Sequence, residues 1–368
     1  MQISVYVSFL LACSSVTGEA WTQFRGSDYG RTSETQVNEL WDASTVAWKT
    51  PLPGRGASSP VLFGENIYLT AYTGYGTTHD NPGNVSDLER HLFCIAAADG
   101  SVVWKTTVPT TSPKNPYNTW GVGKHGFASS SVAIDKTGIY VFFGATGALA
   151  FDHAGKELWR TDCGKGVHVF GAGNSPVLYK DTVIINASVE CGDLIALNKS
   201  DGSVVWRQPG IDQSWSTPVI YQSPGGAKEL ALSTKGKILA FNPDTGDVRV
   251  VYESSRKRAY IPESPRSDSG LLLLPLALIE EDEDGSTIAI DMLVIDVQSG
   301  EVVTSYRAGC GIGLDIADDL LFVRIPTYLA LQSRADVGQV VELDNLVDRP
   351  VIVEVAAQAT ERNEVGQQ

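Results

Sequence analysis

Much of the vocabulary of enzyme active sites is missing from this chain of 368 residues. Its 5 cysteines include no CxxC or CxxCH, which leaves a zinc ribbon and covalent c-type haem unsupported. Its 5 histidines show no HExxH and no other tight ligand spacing. No GxSxG, no P-loop and no GxGxxG in a βαβ setting occurs; GCGIG at 309–313 is too short and lies among strand-like segments. Positive charge is scarce and fades along the chain. The net charge is −15; residues 1–252 hold 22 acidic and 19 basic side chains, residues 253–368 hold 21 and 9, and no lysine follows Lys257. An acidic surface repels phosphates, which argues against a nucleic-acid partner. The apolar run from Ile3 to Ala12 is too short to span a bilayer, so no transmembrane span is expected.

That run suits the h-region of a secretory signal, with cleavage after Ala20 in the small-residue context Gly18-Glu19-Ala20, although a basic n-region is missing. Residues 1–20 are therefore expected to be a signal peptide, and the protein to be exported to the periplasm or cell envelope. Leu10-Leu11-Ala12-Cys13 also resembles a lipobox, which would make Cys13 a lipid anchor. Cys94 and Cys191 sit in or beside strand-like runs and read as buried small hydrophobes. A Cys163–Cys191 disulfide stays open in an oxidising compartment.

What is present is a repeat. HLFCIAAADGSVVWK (91–105) returns as DLIALNKSDGSVVWR (193–207), with looser copies at 147–160, 237–252 and 291–306. Each copy alternates apolar residues at period two, passes a turn of Asp, Asn, Ser and Gly, and enters a second strand. Gly100, Gly202, Gly246 and Gly300 fall where a hairpin needs positive φ. Trp104, Trp159 and Trp206 close the copies and are expected to wedge against the neighbouring unit. Burying such a ring contributes on the order of 2–3 kcal/mol. A second phrase precedes each hairpin: a small polar pair, a short strand, a turn and another strand, at 58–71, 129–144, 174–188 and 216–233. Four strands per roughly 40–45 residues is the period of a β-propeller blade.

The fold class expected is thus all-β, a propeller of four-stranded antiparallel blades, six to eight in number with seven the best guess. The propeller is expected over 21–345, with degenerate blades at 253–345 and a C-terminal tail at 346–368. Residues 38–50 can supply a strand that closes the ring, and Trp-x-x-Phe at 21–24 can dock the N-terminal segment. Two loops break the rhythm, at 72–90 and 108–126; binding residues concentrate on such loops.

IALNKSDGSVVW and LAFNPDTGD resemble the PQQ-like repeat of quinoprotein alcohol dehydrogenases and of the propeller lipoprotein of the bacterial barrel-assembly machinery. WTQFRG (21–26), 46–70, 125–152 and SWSTPVI (214–220) resemble exported PQQ-like propellers of planctomycete-type bacteria. The resemblance implies PQQ with Ca²⁺ as a cofactor by family alone. Those dehydrogenases use a vicinal cysteine pair, and this chain has no adjacent cysteines.

No catalytic, cofactor or metal residue is assigned from the sequence. Candidate channel-mouth binding residues are Arg55, Ser58, Ser59, His125, Ser129, Ser130, Asn174, Ser175, Trp215 and Ser216. The small polar pairs either ring a polar funnel or are simply what fits a crowded axis. Arg55, between two glycines, is either a carboxylate or sugar contact or a charged turn tip. Cys163 and His168, five apart, are a weak metal pair, and the loop bearing His79, Asp80, Asn81, Asn84 and Asp87 matches no EF-hand. The expected role is a non-enzymatic exported scaffold, monomeric, that binds a protein or glycan partner. The alternatives are a PQQ- or metal-dependent alcohol dehydrogenase and a lipid-anchored outer-membrane assembly factor.

Overall fold

The computed structural model describes residues 21–26 and 46–253, apart from 79, 112, 113, 120 and 224, and beyond them the backbone of strands between 259 and 354. Residues 1–20 with Cys13, and also His79, Gly300 and Cys310, lie outside the described residues.

Four antiparallel sheets of four strands follow one another along the chain. The first holds β1 (Val61–Phe63), β2 (Asn66–Thr73), β3 (Glu89–Ala96) and β4 (Val102–Pro109). The second holds β5 (Ala133–Asp135), β6 (Gly138–Phe142), β7 (Ala148–Phe151) and β8 (Glu157–Thr161). The third holds β9 (Val177–Tyr179), β10 (Thr182–Ala187), β11 (Asp193–Asn198) and β12 (Val204–Pro209). The fourth holds β13 (Val219–Gln222), β14 (Lys228–Thr234), β15 (Lys237–Phe241) and β16 (Val248–Glu253). Strand order within each sheet is the order of the sequence, as consecutive hairpins dictate. These are the blades of a β-propeller. A five-stranded sheet follows, built on the long antiparallel pair β19 (Leu271–Asp282) and β20 (Gly285–Asp296); β17 (Ala259–Tyr260) and β18 (Arg266–Asp268) pair with one side of it and β21 (Val302–Ala308) with the other. A three-stranded sheet of β22 (Gly313–Ala317), β23 (Leu320–Arg324) and β24 (Val351–Glu354) completes the described strands.

The core lies between blades rather than in one centre, because each thin sheet buries a face against its neighbour. Val61, Tyr68, Leu92 and Cys94 of the first blade pack on Val132, Ile139 and Phe151 of the second. The same pattern recurs between the second and third blades and between the third and fourth. A tryptophan pins each joint. The indole N–H of Trp104 donates to His153 O at 3.1 Å, that of Trp159 to Lys199 O at 2.8 Å, and that of Trp206 to Pro243 O at 3.0 Å. Each ring lies on the turn glycine of the next blade: a methyl group at Gly155, Gly202 or Gly246 would come within 2.7 Å of the indole. Two residues on, the hydroxyls of Thr106 and Thr161 donate to the carbonyls of Gly155 and Gly202. Trp48 and Thr50 make the same pair of contacts on Ala97 and Gly100, so residues 46–50 serve the first blade as the outer strand of a preceding blade would.

A bulge recurs between the third and fourth strands of every blade, at Cys94/Ile95, Ala150/Phe151, Ala196/Leu197 and Ile238/Leu239. It twists the outer strand, which protects an otherwise exposed edge. At the innermost edges, the N-terminal segment runs across two blades: Leu62 N–H donates to Trp21 O and Ile134 N–H to Thr22 O, each at 2.8 Å.

Candidate functional site

The innermost strands meet through a hydroxyl ladder. Ser59 N–H donates to Ser131 Oγ at 2.9 Å, Ser131 N–H to Ser175 Oγ at 3.0 Å, and Ser175 N–H to Thr217 Oγ1 at 2.9 Å. The equivalent pair in the second blade is therefore Ser130-Ser131, one residue beyond the Ser129-Ser130 expected from the sequence. Three consecutive serines, and Val132 where the other blades carry Pro60, Pro176 and Pro218, leave that register open to sequence reasoning. Ser130, Ser131, Asn174, Ser175, Ser216 and Thr217 are all buried. The crowded-axis reading describes them better than a solvent-facing funnel. Ser58 extends the β1–β2 pairing through Thr70, and Ser216 accepts from Ser233. Asn174 is buried with both amide atoms lacking a hydrogen-bond partner.

The remaining predicted residues divide between a tie and an aromatic corner. His125 Nε2 meets Phe170 O and its Nδ1 meets Ser129 Oγ, each at 2.5 Å. A carbonyl accepts, so Nε2 carries the proton and Nδ1 accepts from the serine. Burial holds the imidazole below its ordinary pKa, against the opposing pull of the Phe170 carbonyl. His125 and Ser129 thus tie the loop after β4 to the loop after β8. Trp215 donates to Gly171 O at 2.8 Å and meets His168 and Phe170 edge-on at 4.8 and 5.6 Å. Phe170 is 38% exposed. Arg55 is exposed, and its backbone pairs with Tyr72.

Two residues the sequence reading missed form the chemical centre of this face. Arg90, at the start of β3, is 3% exposed. Its Nε donates to Phe127 O at 3.0 Å, its Nη1 donates to Thr146 Oγ1 at 2.9 Å, and the guanidinium lies 5.7 Å from the Phe143 ring centroid. Burial lowers its pKa to about 10. Arg90 takes part in none of the ion pairs among the described residues. Glu190, between β10 and β11, is buried, and its Oε2 has no hydrogen-bond partner. Burial pushes its carboxyl up to about 8. A methyl group at Gly144 would meet Glu190 Oε1 at 3.1 Å, so the missing side chain there makes room for the carboxyl.

Arg90 and Glu190 line one cavity of about 30 Å³, with Asn115, Phe127, Ser130 and His168 among its walls. Asn115, Pro116 and Val167 also line an adjoining open groove of about 370 Å³, whose other walls are Tyr75, Val85 and Lys114. Tyr75, Tyr117 and Phe127 stack or meet edge-on beneath it, with centroids 5.5 to 6.1 Å apart. Both loops that break the repeat, 72–90 and 108–126, contribute to this face. Arg55, Ser58 and Ser59 are not among the cavity or groove walls.

The PQQ and Ca²⁺ implied by the repeat do not fit these residues. Ligands of that size occupy pockets of about 300 Å³ or more, whereas the Arg90–Glu190 cavity is about 30 Å³. The larger groove is open, and its six walls carry no carboxylate for a metal. Among the described residues no group of three His, Cys, Asp or Glu is placed to hold an ion, and Cys94, Cys163 and Cys191 are free thiols. Burial pushes the Cys163 thiol up to about 12. No helix among the described residues is long and apolar enough to cross a membrane.

Residues 88–260 match the family model described as outer membrane protein assembly factor BamB. No curated protein matches the chain. Among solved structures, BamB from Moraxella catarrhalis aligns at 16% identity and a TM-score of 0.44, over 77% of this chain and 84% of that one. The quinohemoprotein alcohol dehydrogenase from Comamonas testosteroni aligns at 15% identity and a TM-score of 0.44, over 68% and 43%. A europium-containing methanol dehydrogenase aligns at 15% and 0.41, over 68% and 51%. The chain therefore spans about half, or less, of the dehydrogenases' length.

Proposed function

We propose that this chain, a PQQ-like repeat β-propeller protein, is an exported, non-enzymatic scaffold that binds a protein partner on the face built by its long loops. The observation that carries the reading is the open groove of about 370 Å³ lined by Tyr75, Val85, Lys114, Asn115, Pro116 and Val167. Its floor is rigid, because Tyr72, Tyr75, Leu88 and Ala128 form a buried cluster with Tyr117 and Phe127 packed on it. A preorganised groove with an aromatic wall at Tyr75 binds an extended chain without ordering itself first, which saves the entropy that flexible loops lose. An assembly factor of the cell envelope has this need, and the match to the BamB family model over 88–260 favours that setting.

Photo-crosslinkable residues at Val85 and Val167, compared with Leu158 and Val205 on exposed outer strands, test the reading in cells of the native host. A discrete protein adduct is expected from the groove positions alone. Equal labelling from both sets refutes the face. Titration with PQQ, with and without Ca²⁺, is expected to leave tryptophan fluorescence without a saturable change. Saturable one-site quenching overturns the non-enzymatic reading.

A further inference from the structure

An unpaired guanidinium out of water calls for an anion, since a buried charge is stable only when it is paired and hydrogen-bonded. Arg90 is in that position: 3% exposed, held by two neutral acceptors, and in no ion pair among the described residues. Glu190 does not answer the need, because burial keeps its carboxyl protonated up to about 8. At neutral pH the cavity wall therefore carries one positive charge and a carboxyl O–H that donates, beside the side chains of Ser130 and Asn115. The cavity's volume of about 30 Å³ suits a group of a few atoms. A water fills at least roughly 10–15 Å³ on this scale, and a carboxylate head is about twice that. Asn115, Pro116 and Val167 are walls of both spaces, so the groove, which has the room for the chain that bears such a group, lies directly against the cavity.

We propose that the Arg90–Glu190 cavity is a socket for the C-terminal carboxylate of an extended peptide segment whose preceding residues lie in the Tyr75–Pro116 groove. Guanidinium groups bind carboxylates through two parallel N–H···O bonds, and chain-end capture is an established mode of peptide recognition. A side-chain carboxylate reaches the cavity on a longer tether and leaves the groove to a passing chain, so the two sources differ in what an amidated end does. The inference rests on the scaffold reading of this face.

The other ionisable groups around Glu190 leave it as the group that titrates near pH 8. The Cys163 and Cys191 thiols are held up to about 12 and 11, and Arg90 stays charged to about 10. Burial lowers the His168 pKa, and Lys165, paired with Asp162 at 3.0 Å, donates to Ala145 O. Above its pKa the Glu190 carboxylate repels a bound carboxylate, so affinity falls as pH rises through that value.

The test titrates the full mature chain with N-acetyl-Ala-Ala-Phe, with its C-terminal amide, and with an amidated Asp-containing analogue, by calorimetry. The free acid is expected to bind at least about 10-fold tighter than the amide near neutral pH. That preference is expected to shrink above about pH 8 in the wild type and to persist in Glu190→Gln, whose neutral amide does not titrate. Arg90→Gln is expected to abolish it; Glu190→Gln keeps the test decisive if the arginine variant fails to fold. Equal affinity for acid and amide overturns the socket and leaves the groove as a peptide face. Preference for the Asp-containing amide overturns the chain-end assignment. Binding of none of the three overturns the socket, and groove-specific crosslinking then leaves the scaffold reading standing.

Discussion

Alanine substitutions at Gly202 and Gly64 separate the tryptophan joint from ordinary turn strain. Both glycines have positive φ, +72° and +61°, so both lose backbone freedom equally when a Cβ is added. That cost is about 1–2 kcal/mol for a non-glycine residue in the left-handed region. Space differs. A Cβ at Gly64 meets nothing within 4 Å, whereas one at Gly202 lies 2.6 Å from Trp159 Cε3 and 2.7 Å from Thr161 Oγ1. Trp159 cannot step aside without breaking its 2.8 Å bond to Lys199 O, and overpacking at such a site costs about 1–3 kcal/mol more. Gly202→Ala is thus expected to lose about 2–5 kcal/mol in urea unfolding and Gly64→Ala about 1–2 kcal/mol. Trp159→Leu, itself destabilising, is expected to remove the excess at Gly202 in a double-mutant cycle. Equal losses at the two glycines, or an excess that survives Trp159→Leu, refute the joint as an energetic element.

Glu190→Gln is expected to stabilise the fold increasingly as pH rises. A carboxyl raised to about 8 when folded opposes folding from its unfolded pKa upward. At about 1.4 kcal/mol per unit, the gain is near zero around pH 4 and about 3 kcal/mol by pH 7, read from chemical denaturation across that range. Burial raises the Asp135 pKa, but its bonds to Lys199 and Thr137 outweigh this and leave it below the ordinary value. Its stabilising share is present above the unfolded pKa and lost as pH falls through the folded one. Asp135→Asn, which strands the buried Lys199 ammonium, is expected to cost about 2 kcal/mol, between the figures for exposed and buried pairs. Ser175→Ala leaves the Ser131 N–H buried without its acceptor; a loss of about 1–3 kcal/mol and faster exchange of that amide are expected.

The repeat made the blades legible because a hairpin is local: alternation, turn chemistry and the closing indole all lie within about 15 residues. Trp104, Trp159 and Trp206 even declared their partners, since a ring repeated at one blade position can only pack on the next blade. The small polar pairs were legible as a class, but Ser129, Ser130 and Ser131 gave three residues for two places. The face itself was signposted by its two irregular loops. Its chemistry was not, because Arg90 finds Phe127 and Thr146 at separations of 37 and 56 residues. One signal was available: Arg90 is a full charge at the start of the strand-like run that opens the first copy of the repeat. Glu190 carried no such mark, being one acid in a short turn.

The joints are directional: an indole from one blade always covers a glycine of the next. The series Trp48, Trp104, Trp159, Trp206 couples residues 46–50 to the first blade and each of the first three blades to the one after it. Identical couplings pass a load evenly from one sheet to the next, so the loop face, whose walls come from the first three blades, is set on joints of one kind rather than on the loops themselves.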